Sequence, residues 1–397
     1  MRVTHVITRL VVGGAQENTI ASVLGLRRRP GLEVDLVAGP TTGAEGSLEP
    51  RVAGEPGLFT CLPSLVRAVH PWRDARAYLA LRRLFRERRP DLVHTHSGKA
   101  GVLGRLAAHA AGVPLIVHTI HGPSFGRFQG FLANALFKAA ERRAGRVTTH
   151  FVVVAQAMAE QYLAAGIGRP EQYTRIFSGF PLEPFLTARN DPDLRARWGL
   201  APDDFVVGKI ARLFKLKGHG ELLAVAPHLV RQCPWMKFLL VGDGPWRARL
   251  EARVRERGLE RHVVFTGLVP PEQIPALVGV MDVVVHLSRR EGLARALPQA
   301  LAAGRPVIAY DCDGAGEVCR DGETGFLIAP GDLATLQRRL LELAADPRRR
   351  QQLGRQGQAL VREWFPLERM IEELYQLYRR LAAAAGLRLA ETPPEPR

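Results

Sequence analysis

The segment IFSGFPLEPF, residues 176–185, decides how this chain is divided. On its N-terminal side, apolar runs at 2–7 (RVTHVI), 33–38 (EVDLVA), 91–95 (DLVHT), 114–118 (PLIVH) and 151–154 (FVVV) alternate with amphipathic or Ala-rich runs at 15–27, 73–88, 99–111 and 130–145. On its C-terminal side the rhythm restarts. Strands are expected at 205–211, 237–241, 263–265, 282–286 and 306–310, with helices at 218–231, 246–257, 272–279, 293–303 and 332–345. Near-continuous apolar strands alternating with helices predict a parallel sheet covered on both faces. Two such series joined by a Pro-containing segment predict two doubly wound, Rossmann-like α/β domains facing a cleft. The expected divisions are 1–178 and 179–365, then a helix over 366–386 and a disordered tail over 387–397.

At 397 residues the chain is long enough for two cores. No run of eighteen apolar residues spans a membrane, and the N-terminus MRVTHVITRLVVGG reads as a first core strand and not as a signal peptide. Four cysteines without CxxC or Cys/His spacing fit a reduced, cytoplasmic chain and suggest no metal. The net charge of +16 is uneven. Residues 1–180 hold 23 Lys+Arg against 12 Asp+Glu, and residues 181–397 hold 32 against 27, giving +11 and +5. The excess gathers in LRRR (26–29), LRRLFRERR (81–89) and ERRAGR (141–146). Such a bias fits either solvated helix faces or attraction to something anionic, such as a membrane leaflet, a lipid phosphate or a nucleic acid.

In open α/β sheets, ligands bind beyond the carboxyl ends of the strands, so residues just after strands carry the chemistry. VVGGAQ (11–16) follows the first strand, and Gly13 and Gly14 let backbone N–H groups approach a phosphate at a helix N-terminus. A GG pair alone also fits a simple tight turn. Neither a GxGxxG fingerprint nor a GxxxxGK[ST] loop is present. In GKIARLFKLKGH (208–219), Arg212 and Lys217 flank a strand-to-helix loop and can clamp a diphosphate without a metal. VGDGPWR (241–247) offers Gly242 and Gly244 for close backbone approach. HTIHGPSF (118–125) places His118 and His121 at a strand edge, and HTHSGKAG (94–101) offers Lys99 at a helix start. Glu291 follows VVVHLSRR. Gly292 and Leu293 are expected to present N–H groups from the start of the 293–303 helix. Gln299 lies eight residues after Glu291, about two helical turns on.

In order and spacing, these segments resemble the family 4 retaining glycosyltransferases of the GT-B fold. The resemblance rests on GGAQ, VHTHSGKAGVLGRLAA, VHTIHG, ARLFKLKG, LVGDGP, FTGLV, EGLARALPQALAAGRPVIA and GETGFLIAPGD, which run through nearly the whole chain. EGSL (45–48) and HTHSGKAG are most similar to the capsule and exopolysaccharide subgroup. The resemblance implies an acceptor-binding first domain, a donor-binding second domain and a C-terminal helix crossing back to the first. By the same resemblance Arg212 and Lys217 bind the donor diphosphate, with Gly13 and Gly14 lining the site beneath it. Glu291 meets hydroxyls of the transferred sugar, Gly292 and Leu293 lie beside the phosphates, and His121 faces the donor sugar. Leu268 stands near the base, with Gly242 and Gly244 on the nucleoside side, and Lys99 is a candidate on the acceptor side. The family's second Glu, which grips the ribose, falls on Gln299. An amide still accepts a hydrogen bond but loses charge assistance, a difference of about 1 kcal/mol.

The implied reaction moves a sugar, with retention, from a nucleoside diphosphate sugar (UDP-sugar favoured) to a glycan or polyprenyl-phosphate-linked acceptor in cell-surface polysaccharide assembly. The leaving phosphate would deprotonate the acceptor, with no cofactor, no metal and no nucleic-acid partner. The enzyme would be cytoplasmic, on the inner face of the membrane where its basic first domain meets anionic lipid. Two alternatives stay open on sequence: an epimerase or phosphorylase-type enzyme on the same fold, and a non-catalytic basic binding protein.

Overall fold

The computed structural model describes residues 1–43, 45–126 and 128–387. Residues 388–397 of the expected tail lie outside them. The chain forms two compact units, Met1–Phe180 with Leu367–Arg397, and Pro181–Pro366.

The first unit is built on a seven-stranded parallel sheet. Its strands are β1 (Arg2–Ile7), β2 (Glu33–Ala38), β3 (Phe59–Cys61), β4 (Leu92–His96), β5 (Leu115–Ile120), β6 (His150–Val153) and β7 (Tyr173–Arg175), in the order β3-β2-β1-β4-β5-β6-β7. The order reverses between β1 and β4, where a doubly wound sheet opens a site. Alternate residues of each strand feed two cores. Val3, Ile7, Leu92, Leu115 and Val117 pack under helices Gly14–Arg27 and Leu367–Ala384. Val6, Val93 and Ile116 pack under helices Pro71–Arg88 and Gly98–Ala110.

The C-terminal helix Leu367–Ala384 therefore completes the first unit, because one apolar stripe of it (Met370, Ile371, Leu374, Leu377, Tyr378) is buried there. It approaches helix Gly14–Arg27 so closely that a Cβ on Gly25 would lie 2.2 Å from Ile371 Cδ1. Asn18 donates across this contact to Ser178 Oγ at 3.0 Å and to Met370 Sδ at 3.1 Å.

The second unit carries a six-stranded parallel sheet: β8 (Phe205–Ile210), β9 (Met236–Val241), β10 (Val263–Gly267), β11 (Val283–His286), β12 (Val307–Tyr310) and β13 (Gly325–Ile328), in the order β10-β9-β8-β11-β12-β13. Here the reversal falls between β8 and β11. The expected strands are present, and the structure adds β3, β7 and β13 at or near sheet edges. It also adds the helices Gln156–Ala164 and Pro347–Trp364.

Candidate active site

The loops after β8 and β11 leave the second sheet at its reversal point, and they bring Lys217 and Glu291 together. Lys217 Nζ donates to Glu291 Oε1, and His286 Nε2 lies 3.5 Å from the same oxygen. Burial alone would push the Glu291 carboxyl up. The Lys217 ammonium and the His286 ring overcome this and hold it well below the usual carboxylate range, so it is ionised at neutral pH. Arg212 precedes this pair in the β8 loop, with its guanidinium 5.6 Å from the Phe214 ring centroid.

The backbone beneath is tightly stitched. Leu213 N–H donates to Asp243 C=O at 3.0 Å, and Ala211 N–H donates to Val241 C=O at 3.0 Å. Gly242 has φ +129°, and a Cβ there would meet the Ala211 carbonyl at 2.5 Å; one on Gly244 would meet the Leu213 carbonyl at 2.6 Å. Both glycines thus serve loop–loop packing that no larger residue permits. Gly242 N–H also reaches Gly267 C=O at 3.1 Å, which sets Leu268, half exposed, on the adjoining loop.

One expectation is corrected. The helix after Glu291 begins at Ala296 and ends at Ala302, so Gly292 and Leu293 lie in the loop before it and not at its start. The physical reason is Asp313, whose carboxylate accepts from Glu291 N–H at 2.7 Å while Gly314 N–H donates to Gly292 C=O at 3.0 Å. Those bonds hold the loop out of helical conformation, and Asp313 itself sits at φ +52° to reach it. Only the last few of the eight residues to Gln299 are helical, so the spacing is not two helical turns. Gln299 is half-buried on the second turn.

Three further groups near the pair escaped the sequence reading. Lys209, in β8, is fully buried with no hydrogen-bond partner for Nζ among the described residues, and burial first, then the Lys217 charge, lower its pKa to about 7. Burial and the same cations lower His219 to about 2, and burial lowers His286. A lysine inside the strand FVVGKI was the available signal.

In the first unit, Gly13 caps helix Gly14–Arg27 with extended backbone, so Gly14 is the first helical residue. Lys99 Nζ is engaged by Asp74 and the Ala68 carbonyl, which ties helix Gly98–Ala110 to helix Pro71–Arg88. His118 is buried against Gly101 and bonded to Thr95 Oγ1 at 2.9 Å, a packing role. His121, just past β5, is held by His96, with Nε2 3.0 Å from His96 Nδ1.

Residues 190–360 match the family model described as glycosyl transferases group 1, and residues 13–178 match the glycosyl transferase 4-like domain. The chain belongs to the family 4 glycosyltransferases. This glycosyltransferase has the GT-B fold of two Rossmann-like sheets, and its family uses nucleotide-sugar donors, with retention and without a metal. It is 29% identical, over 72% of its length and 74% of the relative's, to the UDP-Gal:α-D-GlcNAc-diphosphoundecaprenol α-1,3-galactosyltransferase of Escherichia coli. It is 24% identical to the capsular polysaccharide biosynthesis glycosyltransferase CapM of Staphylococcus aureus, over 79% of this chain and 82% of CapM. The crystal structure of Anabaena HepE with UDP-glucose superimposes with a TM-score of 0.81 at 24% identity, covering 96% of this chain and 100% of HepE. No helix of the glycosyltransferase, among the described residues, is long and apolar enough to cross a membrane.

Proposed function

We propose that this glycosyltransferase moves a sugar from a UDP-sugar to a polyprenyl-phosphate-linked or other glycan acceptor in cell-surface polysaccharide assembly. The observation that carries the reading is the Lys217–Glu291 pair at the reversal point of the second sheet, with Arg212 in the same β8 loop as Lys217. An arriving diphosphate offers Lys217 a stronger anionic partner, and Glu291 is then released, still ionised, to accept from hydroxyls of the transferred sugar. Arg212 and Lys217 neutralise the charge that grows on the leaving diphosphate, and that phosphate takes the acceptor proton on the same face. On this reading Gly292, Leu293, Gly13 and Gly14 serve the donor diphosphate. Gln299, Leu268, Gly242 and Gly244 serve the nucleoside, His121 the transferred sugar, and Lys99 the acceptor side.

Exposed apolar side chains support a lipid-linked acceptor. Trp72 begins helix Pro71–Arg88, and Phe131 and Leu132 begin helix Phe131–Gly145; these three are 79%, 85% and 80% exposed. Both helices pack beside helix Gly98–Ala110 and run back from the carboxyl edge of the sheet, so their first turns share that edge. Arg67, Arg73 and Arg76 are exposed and lie within five residues of Trp72 in sequence, a composition suited to an anionic bilayer. The clusters at 81–89 and 141–146 end the same helices and stand at the opposite edge.

The test is transfer and diphosphate release over a panel of UDP- and GDP-sugars. Arg212→Ala and Lys217→Ala are each expected to lower kcat by roughly 10²–10³-fold, as for loss of one donor to a developing charge. Turnover unchanged in either variant would remove the phosphate clamp.

A further inference from the structure

A continuous hydrogen-bonded chain of side chains starts at His121 and ends deep in the first unit. His121 Nε2 lies 3.0 Å from His96 Nδ1, and His96 Nε2 lies 2.9 Å from His5 Nδ1. His5 Nε2 lies 3.3 Å from the Tyr378 hydroxyl, which also contacts His94 Nδ1, and His94 Nε2 lies 2.6 Å from Thr119 Oγ1. The strand register produces this row. His5 pairs with His94 across β1 and β4, and His96 with Thr119 across β4 and β5, all on the face covered by the C-terminal helix.

Burial keeps the rings neutral, with His5 and His121 lowered to about 3 and His94 and His96 held well below the usual histidine range. A neutral imidazole has one donor nitrogen and one acceptor nitrogen. Because His96 and His5 use both nitrogens within the chain, and the buried Tyr378 proton is costly to leave unpaired and so goes to one of its two ring partners, every bond points the same way. Reversing one bond reverses them all, while each ring keeps one proton. The 3.3 Å contact with His5 Nε2 is too long for an O–H donor and nearer the N–H range, so Tyr378 donates to His94 Nδ1 and accepts from His5 Nε2–H. It follows that His5 Nδ1 accepts from His96 Nε2–H, and His96 Nδ1 accepts from His121 Nε2–H. His121 is left with a bare Nδ1, an acceptor.

We propose that Tyr378 is a positioning residue that sets, through His5 and His96, which nitrogen of His121 carries the proton. For its effect on transfer this rests on the reading that His121 serves the transferred sugar. An acceptor nitrogen takes a hydrogen bond from a sugar hydroxyl, whereas a protonated Nδ1 can only donate to the hydroxyl oxygen, which turns the hydroxyl's proton away and leaves it to find another acceptor.

Two variants at different points of the chain predict one outcome. Tyr378→Phe leaves a His5 Nε2–H with no acceptor, and a buried unpaired N–H is worse tolerated than a bare acceptor. The His5 proton therefore moves to Nδ1, and the order reverses outward until His121 carries its proton on Nδ1. Thr119→Val removes the acceptor of His94 Nε2–H. The His94 proton then moves to Nδ1, the phenol turns to donate to His5, and the same reversal follows.

The experiment is 15N NMR of the full chain labelled at histidine, with His121 assigned by comparison with His121→Gln, alongside transfer kinetics. The expected result is that the two ring-nitrogen shifts of His121 exchange character in both variants. With it, kcat is expected to fall roughly ten- to a hundredfold, as for a lost hydrogen bond that leaves one polar group unpaired, while donor KM stays within about threefold. Exchange of the shifts with unchanged kcat upholds the relay and removes His121 from the transfer step. Unchanged His121 shifts in both folded variants would overturn the proposal. So would stoichiometric zinc in the purified enzyme, since His5, His94 and His96 have ring nitrogens within 4.8 Å of one another.

Discussion

Lys209→Met should make the second unit more stable, and more so at neutral pH than at high pH. Lys209 is 0% exposed, its ammonium has no hydrogen-bond partner among the described residues, and burial lowers its pKa from 10.5 to about 7. At about 1.4 kcal/mol per pKa unit, keeping the amine in place costs roughly 4 kcal/mol at pH 7, an upper figure before relaxation. The sign follows from linkage. Between about pH 7 and 10.5 the unfolded chain binds the proton that the folded chain has lost, so stability of the natural protein rises with pH through that window. Below it, both states are protonated and the full cost is present. Methionine keeps most of the aliphatic stem, so packing is retained while the polar end is removed. A gain of about 1–4 kcal/mol is expected at pH 6–7, fading toward pH 10. Urea titrations followed by tryptophan fluorescence suit the measurement, because Trp198, Trp235, Trp246 and Trp364 lie in the second unit and only Trp72 in the first. A variant less stable than the natural protein, or a gain independent of pH, would refute the reasoning.

Glu141→Gln strands the fully buried Arg105 guanidinium, whose Nη2 lies 2.5 Å from the Glu141 carboxylate. We expect about 3 kcal/mol of destabilisation, seen as a fall of roughly 6–12 °C in the thermal transition of the first unit, and an unchanged midpoint would contradict it. Gln299→Glu should bind UDP as tightly as the natural protein or up to about tenfold tighter by calorimetry, since a carboxylate restores charge assistance to a ribose contact. A tenfold loss would show that the amide holds something a carboxylate cannot. Phe131→Ser with Leu132→Ser should reduce partition onto vesicles of anionic lipid more than tenfold, at about 1.5–3 kcal/mol for each fully buried apolar side chain. Equal sedimentation of variant and natural protein would remove that edge from the membrane reading.

The strands at the centre of each sheet were legible because they are buried on both faces and therefore mostly apolar, as in RVTHVI and FVVGKI, whose few buried polar residues include His5 and Lys209. β3 and β7 have three residues each at sheet edges, too few to show a period. The helix Pro347–Trp364 was hidden by its Arg/Gln-rich surface and by Gly354 and Gly357, since glycine disfavours a helix interior. In the fold they are contact points: a Cβ on Gly354 would lie 2.0 Å from the Gly304 carbonyl, and one on Gly357 2.4 Å from Leu301 Cδ2. At the candidate site, Arg212, Lys217 and Glu291 stood out because charge immediately after an apolar strand is conspicuous. Asp313 did not, since its task is to accept one backbone N–H across a loop. Tyr378 meets His5 across 373 positions of sequence, a relation that only the folded topology creates.

The docking of helix Leu367–Ala384 onto the first unit also has a consequence for biosynthesis. The apolar groove that receives Met370, Ile371 and Leu374 is made by residues translated early, while the helix that fills it follows the whole second unit. At about 5–20 residues per second, the N-terminal half leaves the ribosome roughly 10–40 s before its last element exists. During that interval the nascent chain carries an open hydrophobic seam. A stop codon near residue 366 would therefore spare the domain it follows and cripple the one synthesised first.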